Sequence, residues 1–236
     1  MKRLLVPLFL CVCVLAAAAP SESAAPSWHF LQAGTVDPRA VLPPPPAGGS
    51  LAALGDLEAV RQAQAARTPA DVAWAQFVEA DEAFNHAAVL GPWFTPKNLP
   101  MTAELLRKVT DDLMAINRVA KGLYARPRPP LADPALQPCV KLVSTSSYPS
   151  RHSLQAFVWA EVLSDIFPAQ RAALLARAHR AAWGRVIGGV HYPTDVVGGR
   201  LLAEAIIAAL RANPAYRADV EACQREVAPF LLLKAA

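Results

Sequence analysis

Hydrophobic side chains recur at helical spacing along most of the chain after residue 50. The apolar positions of the first such stretch lie three residues apart: Leu51, Leu54, Leu57, Val60 and Ala63. A longer apolar stripe is formed by Leu105, Leu106, Val109, Leu113, Ile116 and Val119. No segment alternates between apolar and polar residues for long enough to predict a sheet. The pattern therefore predicts an all-α fold, a single-domain bundle of about seven or eight helices.

Prolines and capping residues mark where the predicted helices begin. Thr68 precedes Pro69, and this pair predicts a helix start with Thr68 as the N-cap. Thr102 is predicted to cap the long helix that follows. A Gly-rich turn is predicted between Gly184 and Gly189. Further helix starts are predicted at Pro149-Ser150, Pro168, Pro193 and Pro214.

The first residues have the pattern of a secretory signal peptide. Lys2 and Arg3 precede an apolar stretch from Leu4 to Leu15, and alanines follow. Residues 1–19 are therefore predicted to be a signal peptide cleaved near Ala18, with an uncleaved anchor as the alternative. Residues 20–50 form a Pro-rich arm, which is expected either to lie over the domain or to stay mobile. Residues 51–236 are expected to be the helical domain that carries the function.

The composition is that of a globular protein with a sizeable core, since 54% of the residues are hydrophobic and 18% are charged. The net charge is only +4, and no run of five like charges exists. Neither a nucleic-acid partner nor binding to anionic lipid through a basic tail is therefore expected. No later segment is apolar for long enough to span a bilayer, so stable membrane insertion is not expected of the mature protein.

Cys139 and Cys223 are the only cysteines that remain after the predicted cleavage. An exported protein favours a disulfide between them, but the sequence does not show whether they are close, and the pairing stays open. The spacing of a cysteine zinc site is absent, and we expect no metal site and no cofactor. Three tryptophans lie at helical positions typical of core packing: Trp74, Trp159 and Trp183.

Candidate chemistry is concentrated in three short stretches that supply cations, imidazoles and a carboxylate. Pro149 and Ser150 begin a predicted helix whose backbone N–H groups can hold an anion. His191 and Asp195 are four residues apart, which lets the carboxylate orient the imidazole. Such a set suits a phosphoryl group with its charged oxygens. The candidates are Lys121 and Arg128; Ser150, Arg151 and His152; and Arg185, His191 and Asp195.

These stretches resemble a known three-part motif. Lys121-x6-Arg128-Pro129, Pro149-Ser150-x-His152 and Arg185-x5-His191-x3-Asp195 are similar to the pattern of the type 2 phosphatidic-acid-phosphatase and vanadium-haloperoxidase superfamily. Within it, residues 40–212 resemble the bacterial secreted class A non-specific acid phosphatases. The resemblance implies an all-helical enzyme, periplasmic or secreted, that hydrolyses small phosphomonoesters without a metal or another cofactor.

The resemblance also implies a role for each candidate. His191 would be the nucleophile that forms a phosphohistidine, and Asp195 would orient it. His152 would protonate the leaving alcohol and later accept a proton from water, which implies an acidic to near-neutral optimum. The phosphoryl oxygens would be bound by Lys121, Arg128, Ser150 and Arg185.

The chain departs from the family pattern at two positions. Arg151 stands where glycine is usual, and its side chain is expected to narrow the pocket or to add a fourth cation that binds the phosphate. Gly184 stands where many members have a serine. Arg126 does not match the family spacing and is predicted to lie at the pocket rim.

Three other functions stay open at this point. The first is a lipid-phosphate phosphatase that acts at a membrane surface, and the second is a vanadium haloperoxidase. The third is a non-catalytic anion-binding protein, in which Arg151 would have ended turnover. A homo-oligomer is also left open.

Overall fold

The computed structural model describes residues 27–232, and this range holds ten α-helices, two 3-10 turns and no strand. The all-α prediction is therefore confirmed. The count exceeds the predicted seven or eight because α1, α4 and α6 are single turns of four residues each. The helices are α1 Pro38–Val41, α2 Leu51–Ala66, α3 Pro69–Glu79, α4 Ala87–Leu90, α5 Pro100–Lys121, α6 Pro129–Ala132, α7 Arg151–Ile166, α8 Arg171–Ile187, α9 Pro193–Ala212 and α10 Pro214–Leu232.

Helix α7 is the centre of the bundle and packs against both α8 and α9. It is apolar on several faces, as expected for a helix that neighbours surround. Leu154, Val158 and Leu163 are fully buried. From α9, Leu202 and Ile206 are also fully buried. The segment from Leu201 to Leu210 is therefore a core helix, as predicted.

Two glycines of α9 let its backbone approach α7 closely. A Cβ atom added at Gly199 would lie 2.5 Å from the carbonyl oxygen of Ser150. A Cβ at Gly198 would lie 2.5 Å from the ring of Tyr148. Because both positions are glycine and carry no side chain, the N-terminal ends of α7 and α9 can lie in close contact. The N–H of Ser150 then donates to the carbonyl oxygen of Asp195 at 2.9 Å.

Most of the predicted helix starts are confirmed. Thr68 caps α3 in a capping box with Asp71, Ser150 caps α7, and prolines begin α9 and α10. The prediction for Thr102 is wrong, because α5 begins at Pro100 and Thr102 is buried inside it. Its hydroxyl donates instead to Glu226 of α10 at 2.7 Å.

The predicted Gly-rich turn is shorter than expected. Helix α8 continues through Gly184 and Arg185 to Ile187, so the turn begins only at Gly188. Gly184 packs against the ring of Trp74, where an added Cβ would lie 3.4 Å away. Arg185 therefore projects from the last turn of a helix.

The described part of the N-terminal arm, residues 27–50, lies over the domain. The buried carboxylate of Asp112 on α5 accepts the backbone N–H groups of His29, Phe30 and Leu31 at 2.8 to 3.0 Å. Of the two alternatives for the arm, the docked one holds for these residues. The predicted signal peptide lies outside the described residues.

The remaining expectations have mixed outcomes. Trp159 is buried and Trp74 partly buried, but the core position predicted for Trp183 is wrong, since it is 45% exposed. Cys139 and Cys223 are both free thiols and belong to different apolar clusters, so the structure contains no disulfide between them. Across residues 27–232, no helix has both the length and the apolar character needed to cross a membrane.

Candidate active site

The three candidate stretches converge on one pocket of about 350 Å³. Lys121 reaches it from the end of α5, Arg185 from the end of α8, and His152 from the first turn of α7. The candidates Arg128, Arg151 and His191 also line it. Five further residues complete the lining, and only the first of them is acidic: Glu79, Asn117, Lys141, Val143 and Thr145. A larger groove elsewhere, around Trp74, is apolar and contains no histidine.

His191 and Asp195 form a buried pair beneath this pocket. Nδ1 of His191 lies 3.2 Å from Oδ2 of Asp195, which also accepts the hydroxyl of Ser147 and the N–H of Tyr192. The carboxylate therefore accepts a hydrogen bond from Nδ1–H of His191, and the lone pair of Nε2 is left on the side of Arg128, whose guanidinium lies 3.2 Å away.

Burial keeps this imidazole neutral. Burial, with smaller contributions from Arg128 and Lys121, lowers the pKa of His191 to about 3. Asp195 acts in the opposite direction and raises this pKa, but burial has the larger effect. Burial would raise the pKa of Asp195, but His191, Arg126 and Ser147 hold it below its ordinary value. A neutral imidazole beside an ionised carboxylate is the protonation state that a histidine nucleophile needs.

Three of the predicted phosphate-binding cations face the pocket and are largely buried. Lys121 donates to the carbonyl oxygens of Ser146 and Ser147 at 2.7 and 3.2 Å. Burial, then Arg128 and Arg151, lower the pKa of Lys121 to about 7. Nε and Nη1 of Arg185 are buried and have no hydrogen-bond partner among the described residues. Buried guanidinium donors without a partner indicate an anion-binding site.

His152 and Ser150 occupy different depths at the start of α7. His152 lines the pocket, and its Nε2 lies 3.1 Å from the guanidinium of Arg151 and 3.4 Å from the carbonyl oxygen of Glu79. Burial first, then Arg185, Arg151 and His191, lower the pKa of His152 to about 2. Ser150 is fully buried below the pocket, and because its N–H is bonded to Asp195, only its hydroxyl remains as a donor.

Arg126 does not lie at the pocket rim, so that prediction is wrong. Its side chain is 8% exposed, and it donates to Oδ1 of Asp195 and to Oδ2 of Asp56, both at 2.6 Å. The guanidinium also lies over the ring of Tyr192, 4.0 Å from its centroid. Arg126 thus holds the carboxylate of Asp195 on the side away from His191, and Asp56 of α2 completes this second layer.

Sequence reasoning missed Asp56, Glu79 and Lys141. Asp56 lies on a helix with no motif, and it accepts the N–H of Thr194 at 3.2 Å only because α2 packs on α9. No group of three or more His, Cys, Asp or Glu side chains within residues 27–232 is arranged to hold a metal ion.

Comparisons with known proteins show the family to which this chain belongs. A model of the PAP2 superfamily matches residues 113–219, the range that holds the candidate catalytic residues. The chain is 30% identical to the non-specific acid phosphatase of Providencia stuartii, over 93% of this chain and 94% of that protein. It is 28% identical to the acid phosphatase of Zymomonas mobilis, over 94% and 90% of the two chains.

A solved structure shows the same fold. The transmembrane PAP2 type phosphatidylglycerolphosphate phosphatase from Bacillus subtilis has a TM-score of 0.52 and 22% sequence identity, over 70% of this chain and 87% of that chain. This likeness concerns the fold alone. The PAP2 model match, together with the relative that is 30% identical over nearly the whole chain, shows that the chain belongs to the PAP2 superfamily. Its identity over nearly the whole length of a relative places it more narrowly among the non-specific acid phosphatases, and it is a phosphatase. This membership favours an enzyme over the non-catalytic alternative.

Proposed function

We propose that this phosphatase hydrolyses a broad range of small phosphate monoesters without a metal ion, through a phosphohistidine on His191. The observation that carries the proposal is the neutral His191 imidazole, which Asp195 orients and which lines the same pocket as the partnerless donors of Arg185. Cationic side chains supply the positive charge that phosphoryl transfer requires. The lining is mainly polar and charged, so the phosphoryl group rather than the alcohol would contribute most of the recognition.

In the first step, Nε2 of His191 attacks phosphorus and the ester P–O bond breaks. The phosphoryl group stays on Nε2, and the leaving oxygen takes a proton from His152. The bound phosphate opposes the cations that lower the pKa of His152, so protonation of His152 accompanies substrate binding. In the second step, water attacks phosphorus and gives a proton to His152. The bond between phosphorus and Nε2 of His191 breaks, its electron pair returns to Nε2, and inorganic phosphate leaves. Asp195 stabilises the positive charge that the imidazole of His191 carries while the phosphoryl group is bound to Nε2.

Steady-state hydrolysis of phenyl phosphate and glycerol 2-phosphate, with a chelator present, tests this proposal. His191→Ala is expected to lose at least about 10³-fold in kcat on both substrates. His152→Ala is expected to lose about 10²-fold or more on the alkyl ester and less on the aryl ester, because phenol needs less protonation. The exposed His179 lies outside the pocket, so His179→Ala is the matched control and should keep wild-type rates.

The outcomes separate the parts of the proposal. Turnover by His191→Ala near the wild-type rate would contradict a phosphohistidine intermediate. If His152→Ala lowers kcat equally on both esters, His152 is not the general acid. Loss of activity with the chelator, restored by added metal, would contradict metal independence. Acid-labile phosphate bound to the wild-type protein after rapid quenching, and absent from His191→Ala, is the direct expected result.

The proposal includes export to the periplasm or the medium. It is supported by the charged, apolar and small-residue order of residues 1–19. N-terminal sequencing of protein recovered from a bacterial periplasm or culture medium is expected to show a start close to residue 19. A cytoplasmic protein that keeps Met1 would contradict this part without affecting the chemistry.

A further inference from the structure

Arg151 is a cation in the pocket that has no counter-ion among residues 27–232. One terminal nitrogen of its guanidinium lies 3.1 Å from Nε2 of His152, and the other donates to Oε1 of Gln155 at 3.1 Å. No carboxylate pairs with it in the described part of the chain, and the side chain is only partly exposed. A partly desolvated guanidinium with unused donors is a recognition element for an anion.

The position of Arg151 separates it from the cations that bind the phosphoryl group. In the proposed mechanism, Nε2 of His152 faces the leaving oxygen, and Arg151 contacts this same atom. Arg128 instead contacts Nε2 of His191, where the phosphoryl group would be transferred. Arg151 therefore lies on the leaving-group side of the pocket. A group on the alcohol, rather than an oxygen of the transferred phosphoryl, would meet its guanidinium.

Lys141 adds a second cation to the lining. Its ammonium group has no ion pair within residues 27–232, while its backbone N–H donates to Glu79 at 3.0 Å. The carboxylate of Glu79 is the acidic group of this wall, and it is already bonded to that backbone N–H. Arg151 and Lys141 are two cations, and Glu79 is one carboxylate that already accepts a hydrogen bond, so this side of the pocket is positive. A positive pocket surface favours an anionic leaving group.

We propose that the preferred substrates of this phosphatase carry a second anionic group, a carboxylate or a phosphate, on the alcohol close to the ester oxygen. This inference rests on the proposed function and names its substrate class. Arg151, with Lys141, would bind the second anion. A guanidinium that binds this anion stops donating to Nε2 of His152, and Nε2 becomes free to carry the proton for the leaving oxygen.

Electrostatics supports this coupling. Arg151 is one of the cations that lower the pKa of His152, after burial and Arg185. An anion held against Arg151 cancels part of that effect and favours protonated His152. A substrate with a neutral alcohol does not bind Arg151, so the guanidinium stays hydrogen-bonded to Nε2 of His152. Such a substrate also forms one fewer charge-assisted hydrogen bond with the enzyme. The difference should therefore appear in kcat/KM.

Two esters of closely matched structure test the inference. 2-Phosphoglycerate differs from glycerol 2-phosphate by a carboxylate in place of one hydroxymethyl group. The wild-type enzyme is expected to have the higher kcat/KM on 2-phosphoglycerate. In Arg151→Ala the ratio of the two kcat/KM values should fall about tenfold or more, and in Lys141→Ala by a smaller factor. Because the same two esters are compared in each enzyme, their intrinsic reactivities cancel.

A control removes the same charge elsewhere. Arg225 is exposed on α10 and lies outside the pocket, so Arg225→Ala should leave the ratio within about twofold of wild type. A wild-type preference for glycerol 2-phosphate, or an unchanged ratio in Arg151→Ala, would overturn the substrate class while the phosphatase mechanism stands. No turnover of either ester by the wild-type enzyme, or full activity of His191→Ala, would instead contradict the proposed function beneath it.

Discussion

At the scale of single residues, neighbours decide what each site side chain can do. Lys121 is an ordinary lysine in the sequence, but in the fold it is buried next to Arg128 and Arg151. The pKa of Lys121 is lowered to about 7, whereas the pKa of an ordinary lysine side chain is 10.5. Arg128 and Arg185 also have lowered pKa values, chiefly from burial, but a guanidinium remains charged at any working pH. Among the cations that we propose to bind phosphate, Lys121 is thus the one expected to lose its charge near neutral pH.

Replacement of Lys121 by arginine should change the pH profile. The pKa of Lys121 is lowered, so its charge is present below about pH 7 and lost as the pH rises through that value. We expect the wild-type kcat/KM to fall above about pH 7, since kcat/KM reports groups of the free enzyme. In Lys121→Arg this alkaline fall should move to higher pH, even if the maximal rate is lower. The ionisation of the substrate is common to both enzymes. An unchanged alkaline limb would exclude Lys121 as its cause.

At the scale of helices, the site depends on the close crossing of α7 and α9. Gly198 and Gly199 bring the backbone that carries Asp195 against the start of α7, which carries Ser150 and His152. His152 is distant along the chain from the cations of α5 and α8, and they meet because the core helices pack. The site is therefore as sensitive to this crossing as to its own side chains.

Gly199→Ala should lower the free energy of unfolding. The added methyl would lie 2.5 Å from a backbone oxygen and 2.8 Å from the Cβ of Ser153, so α7 or α9 must shift, at a cost of about 1–3 kcal/mol. Activity should fall with it, because the shift moves the start of α7 relative to Asp195. Gly55 is the control, since it lies in α2 with no atom within 4 Å of an added Cβ.

Gly55→Ala should stabilise by about 0.5–1 kcal/mol and leave activity unchanged. Urea unfolding of both variants measures the two effects. If Gly199→Ala and wild type have the same free energy of unfolding, then α7 and α9 can move apart without a loss of stability.

At the scale of the whole molecule, buried neutral histidines make the fold sensitive to acid. Burial lowers the pKa of His86 to about 4, and His152 and His191 are lowered further. A histidine in the unfolded chain has a pKa near 6.5. Between that pH and the lower pKa of the folded state, the unfolded chain binds a proton that the folded protein does not bind. Their contribution to stability is complete above about pH 6.5 and is lost as the pH falls toward the folded pKa. The protein is therefore expected to lose stability as the pH falls through the acidic range.

His86→Asn should flatten this dependence. The amide can still donate to the carbonyl oxygen of Ala83, which His86 contacts through Nδ1 at 2.8 Å. The variant is expected to have a lower Tm at pH 7 but a smaller fall in Tm between pH 6.5 and 4.5. The exposed His179→Asn should behave as wild type, and buffers without phosphate avoid stabilisation by binding. A fall in Tm as steep as that of wild type would show that His86 does not contribute.

Much of the fold and of the site follows from local chemistry along the chain. Thr68, Ser150 and the prolines at the starts of α9 and α10 predict helix ends because capping and the fixed φ of proline act within a few residues. The residue types of the three motifs likewise predict phosphoryl chemistry. Thr102 shows where such rules stop, because its nearest partner, Glu226, comes from a helix at the other end of the chain.

Local sequence was enough to predict the helical class, the main helix starts and the set of groups that we propose to bind and transfer phosphate. The folded structure was needed to show that Arg126 and Asp56 support Asp195, that Arg185 projects from a helix end, and that Arg151 faces His152. The reason is physical. Capping and periodicity depend on neighbours within a turn or two, whereas burial, pKa values and ion pairs depend on residues brought together by core packing.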